Sequence, residues 1–252
     1  MIKFFRRIRQ KLLSENRFNK YLLYAIGEIL LVMVGILLAL QVNNWNLKRK
    51  NNQLKQTYLE RIVNDIKQDT ININNILSEI IQNQSVIHDL TKSIRTLSDY
   101  SILDSVFTNY FTNGWIISEY ISTDNTYIDL SQTGNMNILK NDELVDKIIA
   151  YYGYIKQVDN FHTVNKNWIT PLDLEVAKLT SAFEIDPATS DLFLHKERIE
   201  ALKNIQNQAD LMERNAAGHY WINQSLYNNL SALKGVSKKL LKDLSNEKSE
   251  LN

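Results

Sequence analysis

A carboxylate inside an apolar stretch is the first feature of this sequence that could do chemistry. Glu28 lies in YAIGEILLVMVGILLALQVNNW, which runs from Tyr24 to Trp45 and contains no Lys or Arg. An acidic side chain in a membrane span is costly, and such residues often mark contacts between helices or paths for protons. The surrounding segment therefore decides what Glu28 can do.

Other chemically capable residues are scattered. His88, His162, His195 and His219 have no second ligand at the spacing of a metal site. There is no Gly-rich phosphate loop, no Gly-x-Ser-x-Gly and no His-Glu-x-x-His. Because there is no Cys, disulfides, thiolate catalysis and Cys-ligated zinc are excluded. We therefore predict no catalytic, metal-binding or cofactor-binding residues, and a protein that is not an enzyme.

Charge is distributed unevenly, although the net charge is only +1. Residues 1–45 hold seven Lys or Arg and two Glu, which leaves 22 basic residues (29 minus 7) and 26 acidic residues (28 minus 2) in the remainder. A mildly acidic remainder offers no electrostatic footprint for nucleic acid. A basic N-terminus beside an apolar stretch instead fits the anionic surface of a membrane, so a lipid bilayer is a predicted partner.

The apolar stretch has the length of a membrane span. Residues 21–40 would form about 30 Å of helix, which matches the bilayer core. Tyr21 and Tyr24 lie at one end and Trp45 at the other, where amphipathic rings favour the interface. A cleaved signal peptide is the alternative, but its apolar region is usually shorter and ends in small residues. We predict an uncleaved transmembrane helix over residues 21–44.

The flanking charges predict an orientation. Seven Lys or Arg precede the span, and four follow within twenty residues. By the positive-inside rule, the N-terminus lies in the cytoplasm and the body lies on the other side of the membrane. Residues 1–20, rich in Arg, Phe, Ile and Leu, are predicted to be a basic amphipathic segment on the cytoplasmic surface.

One stripe of the span is suited to a second helix. At 100° per residue, a single face collects Tyr24, Glu28, Val32, Gly35 and Ala39. Gly35 and Ala39 form a small-x-x-x-small pair, which permits close helix approach. The first interpretation of Glu28 is a hydrogen bond across a homo-oligomer or to an unknown membrane partner. The alternative is a carboxylate that handles protons in an ion-coupled subunit.

A heptad pattern follows the span and predicts a long helix with a coiled-coil-like seam. Its aliphatic members are Leu59, Ile62, Ile66, Ile73, Ile76, Ile80, Ile87, Leu90, Ile94 and Leu97. Asp69 and Asn83 interrupt the seam. Polar seam residues commonly fix the register or oligomeric state of a coiled coil, whereas an intramolecular bundle can leave them at its solvated edge.

The remaining sequence predicts more helices and no strand. Gly114 and Gly134 are expected to end short helices, and a long helix is expected to start near Asn141. A last helix is predicted over about 192–244, with a frayed tail at 246–252. The predicted fold is all-α: the transmembrane helix continues into an elongated antiparallel bundle of long helices over residues 45–245.

Two stretches resemble a known family. These are MIKFFRRIRQKLLSENRFNKYLLYAIGEILLVMVGILLALQVNNWN at the N-terminus and TYIDLSQTGNMNILKNDELVDKIIAYY over residues 126–152. Both are similar to a large uncharacterised family of single-span membrane proteins, a domain of unknown function, from flavobacteria-type Gram-negative bacteria. The resemblance implies an inner-membrane anchor with a periplasmic body, and it supplies no activity.

Three functions are compatible with these features. The first is a membrane-anchored scaffold or interaction protein, because a stalk and a seam occur without catalytic motifs. The second is a sensor input module that signals through a partner, because bundles on membrane stalks transmit small helix shifts. The third is an ion-coupled single-span subunit that uses Glu28.

Overall fold

The computed structural model describes residues 18–193 and 197–249, and these ranges are helical with no strand. The α-helices are α1 (Phe18–Ser93), α2 (Tyr100–Asn109), α3 (Asn125–Gln132), α4 (Asp142–Ala177), α5 (Thr180–Ile185), α6 (Arg198–Asn207) and α7 (Ala209–Ser249). Shorter turns are the π-helical Tyr110–Gly114 and the 3-10 helices Asn135–Leu139 and Ser190–Phe193. The predicted all-α fold with long packed helices is confirmed. The predicted cytoplasmic segment lies outside the described residues, except for its last three positions.

The chain divides into two compact units, Met1–Gln56 and Thr57–Asn252. In the first unit, the apolar part of α1 is long and apolar enough to cross a membrane, and its most apolar window has no buried residue. Leu23, Leu31 and Val42 are all more than 60% exposed. Because large apolar surfaces on a soluble chain are normally covered, this exposure fits a segment made for lipid.

The second unit has two clusters of buried apolar side chains. The first cluster joins the middle of α1 to α3, the N-terminal half of α4 and the C-terminal half of α7. The second cluster joins the end of α1 to α2, α5, α6 and the start of α7. The start of α4 pairs with the end of α7 through Lys147 and Asp243, 2.9 Å apart, so the two helices run antiparallel.

At two positions the structure favours glycine: one has a left-handed backbone conformation, and the other lies at a close contact between helices. Gly134 has a φ of 70°, in the left-handed region, and it ends the turn after α3 as predicted. Gly218 lies where α7 meets α4: a Cβ there would come within 2.9 Å of Ile169 and 3.0 Å of Leu172. The absence of a side chain at Gly218 therefore lets the two long helices approach closely.

The single last helix predicted over 192–244 is wrong. Two helices occupy the region, α6 and α7, and the chain bends at Gln208, whose ψ is 32°. No Gly or Pro marks this bend. It allows Ala201, Leu202 and Ile205 of α6 to be buried in the second cluster. At its other end α7 reaches Ser249, so it includes residues 246–249, for which we predicted a frayed tail; residues 250–252 lie outside the described part.

Candidate binding site

The predicted contact face lies in the first unit, along α1. Val32 and Ala39 are exposed and Glu28 is half-buried. Apart from the adjoining residues and backbone of α1 itself, a Cβ on Gly35 would meet no atom within 4 Å. Tyr24 is within α1, but its side chain lies outside the described part. The contact with a second helix remains a prediction.

The seam residues line the interior of the second unit. Eight of the ten aliphatic members are at most 2% exposed, and Ile76 and Leu97 are partly buried. The seam therefore packs against other helices of the same chain. Asp69 and Asn83 are also buried, so neither lies at a solvated edge.

Asp69 is the best-defined polar group in the first cluster. Its Oδ1 accepts a hydrogen bond from the backbone N–H of Thr123 at 2.6 Å, and its Oδ2 accepts one from the Tyr151 hydroxyl at 3.0 Å. The Ser237 hydroxyl oxygen is 3.4 Å from that of Tyr151. A buried carboxylate is tolerated only with such donors. The donors come from α4 and from the loop before α3, so Asp69 ties both to α1.

A second carboxylate lies one helical turn earlier on α1. Asp65 accepts a hydrogen bond from the backbone N–H of Thr126 at 3.2 Å, in the first turn of α3. The first amides of a helix have no partner within the helix and carry partial positive charge, so a carboxylate is stabilising there. Asp65 and Asp69 together hold α3 and the loop before it against α1.

An open cavity of about 400 Å³ lies beside this cluster. Its wall includes Tyr120, Tyr127 and Tyr152, and the last two rings are stacked with centroids 4.3 Å apart. Asp124, Lys156 and Asp159 supply charges, and three isoleucines supply apolar surface. The cavity is within the size range of small-molecule sites, so it is the candidate binding site of this chain.

The site combines burial with negative charge. Burial, partly offset by the hydrogen bond from the Thr123 N–H, raises the pKa of Asp69 above its ordinary value. Burial also raises the pKa of Tyr152, and the nearby carboxylates of Asp65, Asp69 and Asp124 raise it further. Tyr152 therefore stays protonated and can donate a hydrogen bond at neutral pH.

A second polar network lies next to the second cluster. Asp173 accepts a hydrogen bond from Asn215 Nδ2 at 2.8 Å, and its Oδ1 lies 2.7 Å from His219 Nε2. The Tyr110 hydroxyl donates to Asn215 Oδ1 at 2.5 Å, and the Trp115 ring lies 6.1 Å from the His219 ring. Because a carboxylate only accepts, Nε2 of His219 carries a proton. His219 is fully buried, so this network serves packing.

His88 and His162 lie in different environments. His88 is exposed with its ring edge against Tyr220, and His162 is buried, which lowers its pKa. His195 lies outside the described residues. Within the described ranges, no group of three His, Cys, Asp or Glu side chains is arranged to hold a metal ion.

An exposed aromatic surface lies elsewhere on the second unit. Phe161, Val164 and Trp168 follow one another along one face of α4, and Trp168 is 74% exposed. The Trp221 ring on α7 is 5.8 Å from the Trp168 ring. We call these four residues the Trp168–Trp221 surface.

The fold and the site define a class of all-α protein. Its described residues include one helix able to cross a membrane, and its second unit has an acidic cluster beside a cavity. The chain belongs to the Family of unknown function (DUF6090), which it matches over residues 28–167. No curated protein and no solved structure matches the chain. The match confirms the resemblance to a domain of unknown function, while the bacterial group and the single span remain predictions.

Sequence reasoning recognised Asp69 as an interruption of the seam but not as the centre of a site. Its partners Thr123 and Tyr151 are 54 and 82 residues away, and no local pattern links them. One signal was available, since Asp65 and Asp69 share a helical face and the resembling stretch ends in the tyrosine pair at 151–152. Asp173 and His219, 46 residues apart, gave no such signal.

Proposed function

We propose that this chain is a membrane-anchored interaction protein without catalytic activity, a scaffold whose second unit binds a protein partner. The observation that carries the proposal is the Trp168–Trp221 surface. Monomeric proteins seldom expose neighbouring tryptophans, and tryptophan is enriched where proteins bind one another.

Site-specific crosslinking in cells tests this proposal. A photoreactive amino acid at Trp168 in the full chain should crosslink to a membrane or extracytoplasmic protein. The same group at Ser105, an exposed position on α2, should not. Trp221→Ala should weaken the crosslink from position 168, because the two rings are neighbours. Equal crosslinking from both positions, or none from either, would refute the proposal.

The proposed location is the bacterial inner membrane, with a single span, a cytoplasmic N-terminus and a periplasmic body. The exposed apolar section of α1 and the excess of Lys and Arg before it support this arrangement. A phosphatase that is active only in the periplasm should be active when fused after Asn252. A reporter active only in the cytoplasm would reverse the orientation if it worked at that position.

A contact between α1 and another membrane helix is part of the same proposal. The open space around Gly35 supports it, because a second backbone can approach there. Gly35→Leu should abolish crosslinking between spans at matched expression. Gly27→Leu is the matched control, since Gly27 also has open space around it but lies off the stripe.

Glu28→Gln should preserve assembly, because Gln can still hydrogen-bond. If the Glu28→Gln protein assembles normally but cells that carry it show the phenotype of cells lacking the protein, the ion-coupled function replaces the scaffold function.

A sensor module is the second candidate function, and the cavity beside Asp69 favours it. The cavity lies between α4 and the loop that Asp69 holds against α1. A ligand there would contact elements on both sides, and ligand contacts that differ between two arrangements can shift packed helices. A ligand that alters crosslinking between spans in the full chain would establish this role.

A further inference from the structure

The cavity has a chemical character of its own, which indicates what it binds. Two carboxylates, Asp124 and Asp159, belong to its wall together with one lysine, Lys156. Asp65 and Asp69 lie behind the wall, close enough to affect the Tyr152 hydroxyl. Even if Lys156 neutralised Asp159, three carboxylates would remain around the cavity. This charge disfavours an anionic ligand and favours a cation.

Aromatic rings decide which kind of cation fits. Tyr120, Tyr127 and Tyr152 contribute to the wall, and the faces of such rings attract ammonium groups. The side chains of Ile121, Ile128 and Ile155 add apolar surface, which would suit a hydrocarbon portion. A metal ion would instead require converging oxygen or nitrogen ligands, and within the described ranges no three acidic, imidazole or thiol side chains come together in this way.

Tyr152 is a buried polar residue in the wall of the cavity. It is 5% exposed and lines the cavity, yet its buried hydroxyl has no hydrogen-bond partner among the described residues. Buried polar groups in native proteins nearly always have a partner, and one without a partner is costly. Protein atoms cover the hydroxyl, so a ligand with a polar head group could supply that partner only by displacing neighbouring side chains.

We propose that this cavity binds a small molecule that carries an ammonium group next to an apolar portion. Asp124 and Asp159 attract the ammonium group, the tyrosine rings surround it, and the isoleucines contact the apolar portion. The site lies entirely within the residues that match the family. The proposal supplies a ligand class for the sensor candidate. It does not require that binding be signalled, nor that a protein bind the Trp168–Trp221 surface.

Calorimetric titration of the full chain in lipid nanodiscs tests the proposal with three probes of one shape. They are 2-phenylethylamine, which is cationic at neutral pH, the neutral 2-phenylethanol and the anionic phenylacetate. Empty nanodiscs give the heat of partitioning into lipid, which is subtracted. We expect the amine to bind about tenfold more tightly than 2-phenylethanol, with phenylacetate the weakest. Phenylacetate binding as tightly as the amine would overturn the proposal.

Substitutions locate the binding. Asp124→Asn should weaken amine binding about tenfold and leave 2-phenylethanol binding unchanged. The Asp124 side chain makes no capping hydrogen bond to α3, and Asn is as favourable as Asp at this position, so the start of the helix should be unaffected. Asp129→Asn is the matched control on the same helix, because Asp129 pairs with Arg61 outside the cavity. It should change the amine affinity by less than about twofold.

Two further variants keep the test decisive. If Asp124→Asn does not fold, Asp159→Asn at an exposed position of the wall replaces it, with the same expected loss of amine binding. Trp168→Ala should leave amine binding unchanged, which separates this site from the proposed protein interface. Full amine affinity in both aspartate variants, or an equal loss in Asp129→Asn, would overturn the proposal.

Discussion

Asp69 and Asp173 are both carboxylates on long helices of the second unit, but their partners differ in kind. Asp69 is fully buried and receives hydrogen bonds from neutral groups, a backbone amide and a tyrosine hydroxyl. Asp173 instead contacts two side chains, the imidazole of His219 and the amide of Asn215. The Asp69 cluster borders a cavity and lies within the family match, except for Ser237.

This difference distinguishes a network that stabilises the fold from one that is open to a ligand. Side chains of the chain itself satisfy Asp173, and the Trp115 ring lies next to His219. The carboxylates near the cavity outnumber the basic groups of its wall, so the chain alone leaves negative charge there. Buried charges in stable proteins are usually paired, and an unbalanced cluster beside a cavity is typical of a binding site.

The largest expected effect tests whether Asp69 can be buried only because it has hydrogen-bond donors. Ile73 lies one turn after Asp69 on the seam and is fully buried. Ile73→Asp would add a second buried carboxylate without donors, so it should lower the free energy of unfolding by about 4 kcal/mol. Urea unfolding of the detergent-solubilised chain, followed by tryptophan fluorescence, measures this. Ile71→Asp, at an exposed position on the same helix, is the control; similar losses in both would mean that the seam is not the interior.

Removal of the imidazole tests the Asp173 network. His219→Ala should lower the free energy of unfolding by about 3 kcal/mol, because it leaves a cavity and deprives Asp173 of its partner. His88→Ala, which removes an exposed ring, should cost about 0.5 kcal/mol or less. The same urea experiment compares them. If His219→Ala were as mild as His88→Ala, the network would not stabilise the fold.

Removal of one hydrogen-bond donor to Asp69 should have a smaller effect than the two preceding changes. Tyr151→Phe keeps the ring in the first cluster and removes the hydroxyl that donates to Asp69. The expected loss in unfolding free energy is about 1 to 2 kcal/mol, the cost of one hydrogen bond to a buried carboxylate. Asp69→Asn combined with Tyr151→Phe should cost less than the sum of the single changes, since they share this bond. Simple additivity in this double-mutant cycle would show that the bond contributes nothing.

The free energy of unfolding should depend on pH in part through Asp69. Its pKa is raised in the folded state, so between the unfolded and folded pKa values the folded chain binds more protons than the unfolded chain. The contribution of Asp69 is therefore most favourable below the unfolded pKa and is lost as the pH rises through the folded pKa. The difference in unfolding free energy between the natural chain and Asp69→Asn should fall over this window. A difference that rises with pH would mean that the folded pKa is lowered instead.

The smallest expected effect concerns the other polar seam residue. Asn83 is 3% exposed, and its Nδ2 has no hydrogen-bond partner among the residues described. Asn83→Leu should therefore be tolerated or should raise the unfolding free energy by up to about 1 kcal/mol. Thermal unfolding and sedimentation of the detergent-solubilised chain measure stability and oligomeric state. A loss of unfolding free energy comparable to that of Tyr151→Phe would mean that Asn83, like Asp69, makes a hydrogen bond that stabilises the fold.

Several local features were predictable because they depend on neighbours in the sequence. The start of α4 near Asn141 was predicted, and in the structure Asn141 caps the helix by accepting a hydrogen bond from the Leu144 N–H. The left-handed Gly134 was predicted from the turn it ends. The bend at Gln208 was not, because it depends on how α6 packs in the second cluster and not on a residue that breaks helices.

The sequence by itself determined the all-α class, the apolar section of α1 and the periodicity of the seam, because each depends on residue types that recur every few positions. Only the tertiary structure decided that Asp69 meets Tyr151 and that the cavity forms beside them. These contacts join α1, α4 and the loop before α3 across 54 to 82 residues. Helical spacing fixes which residues share a face of one helix, but the packing of several helices fixes which faces meet.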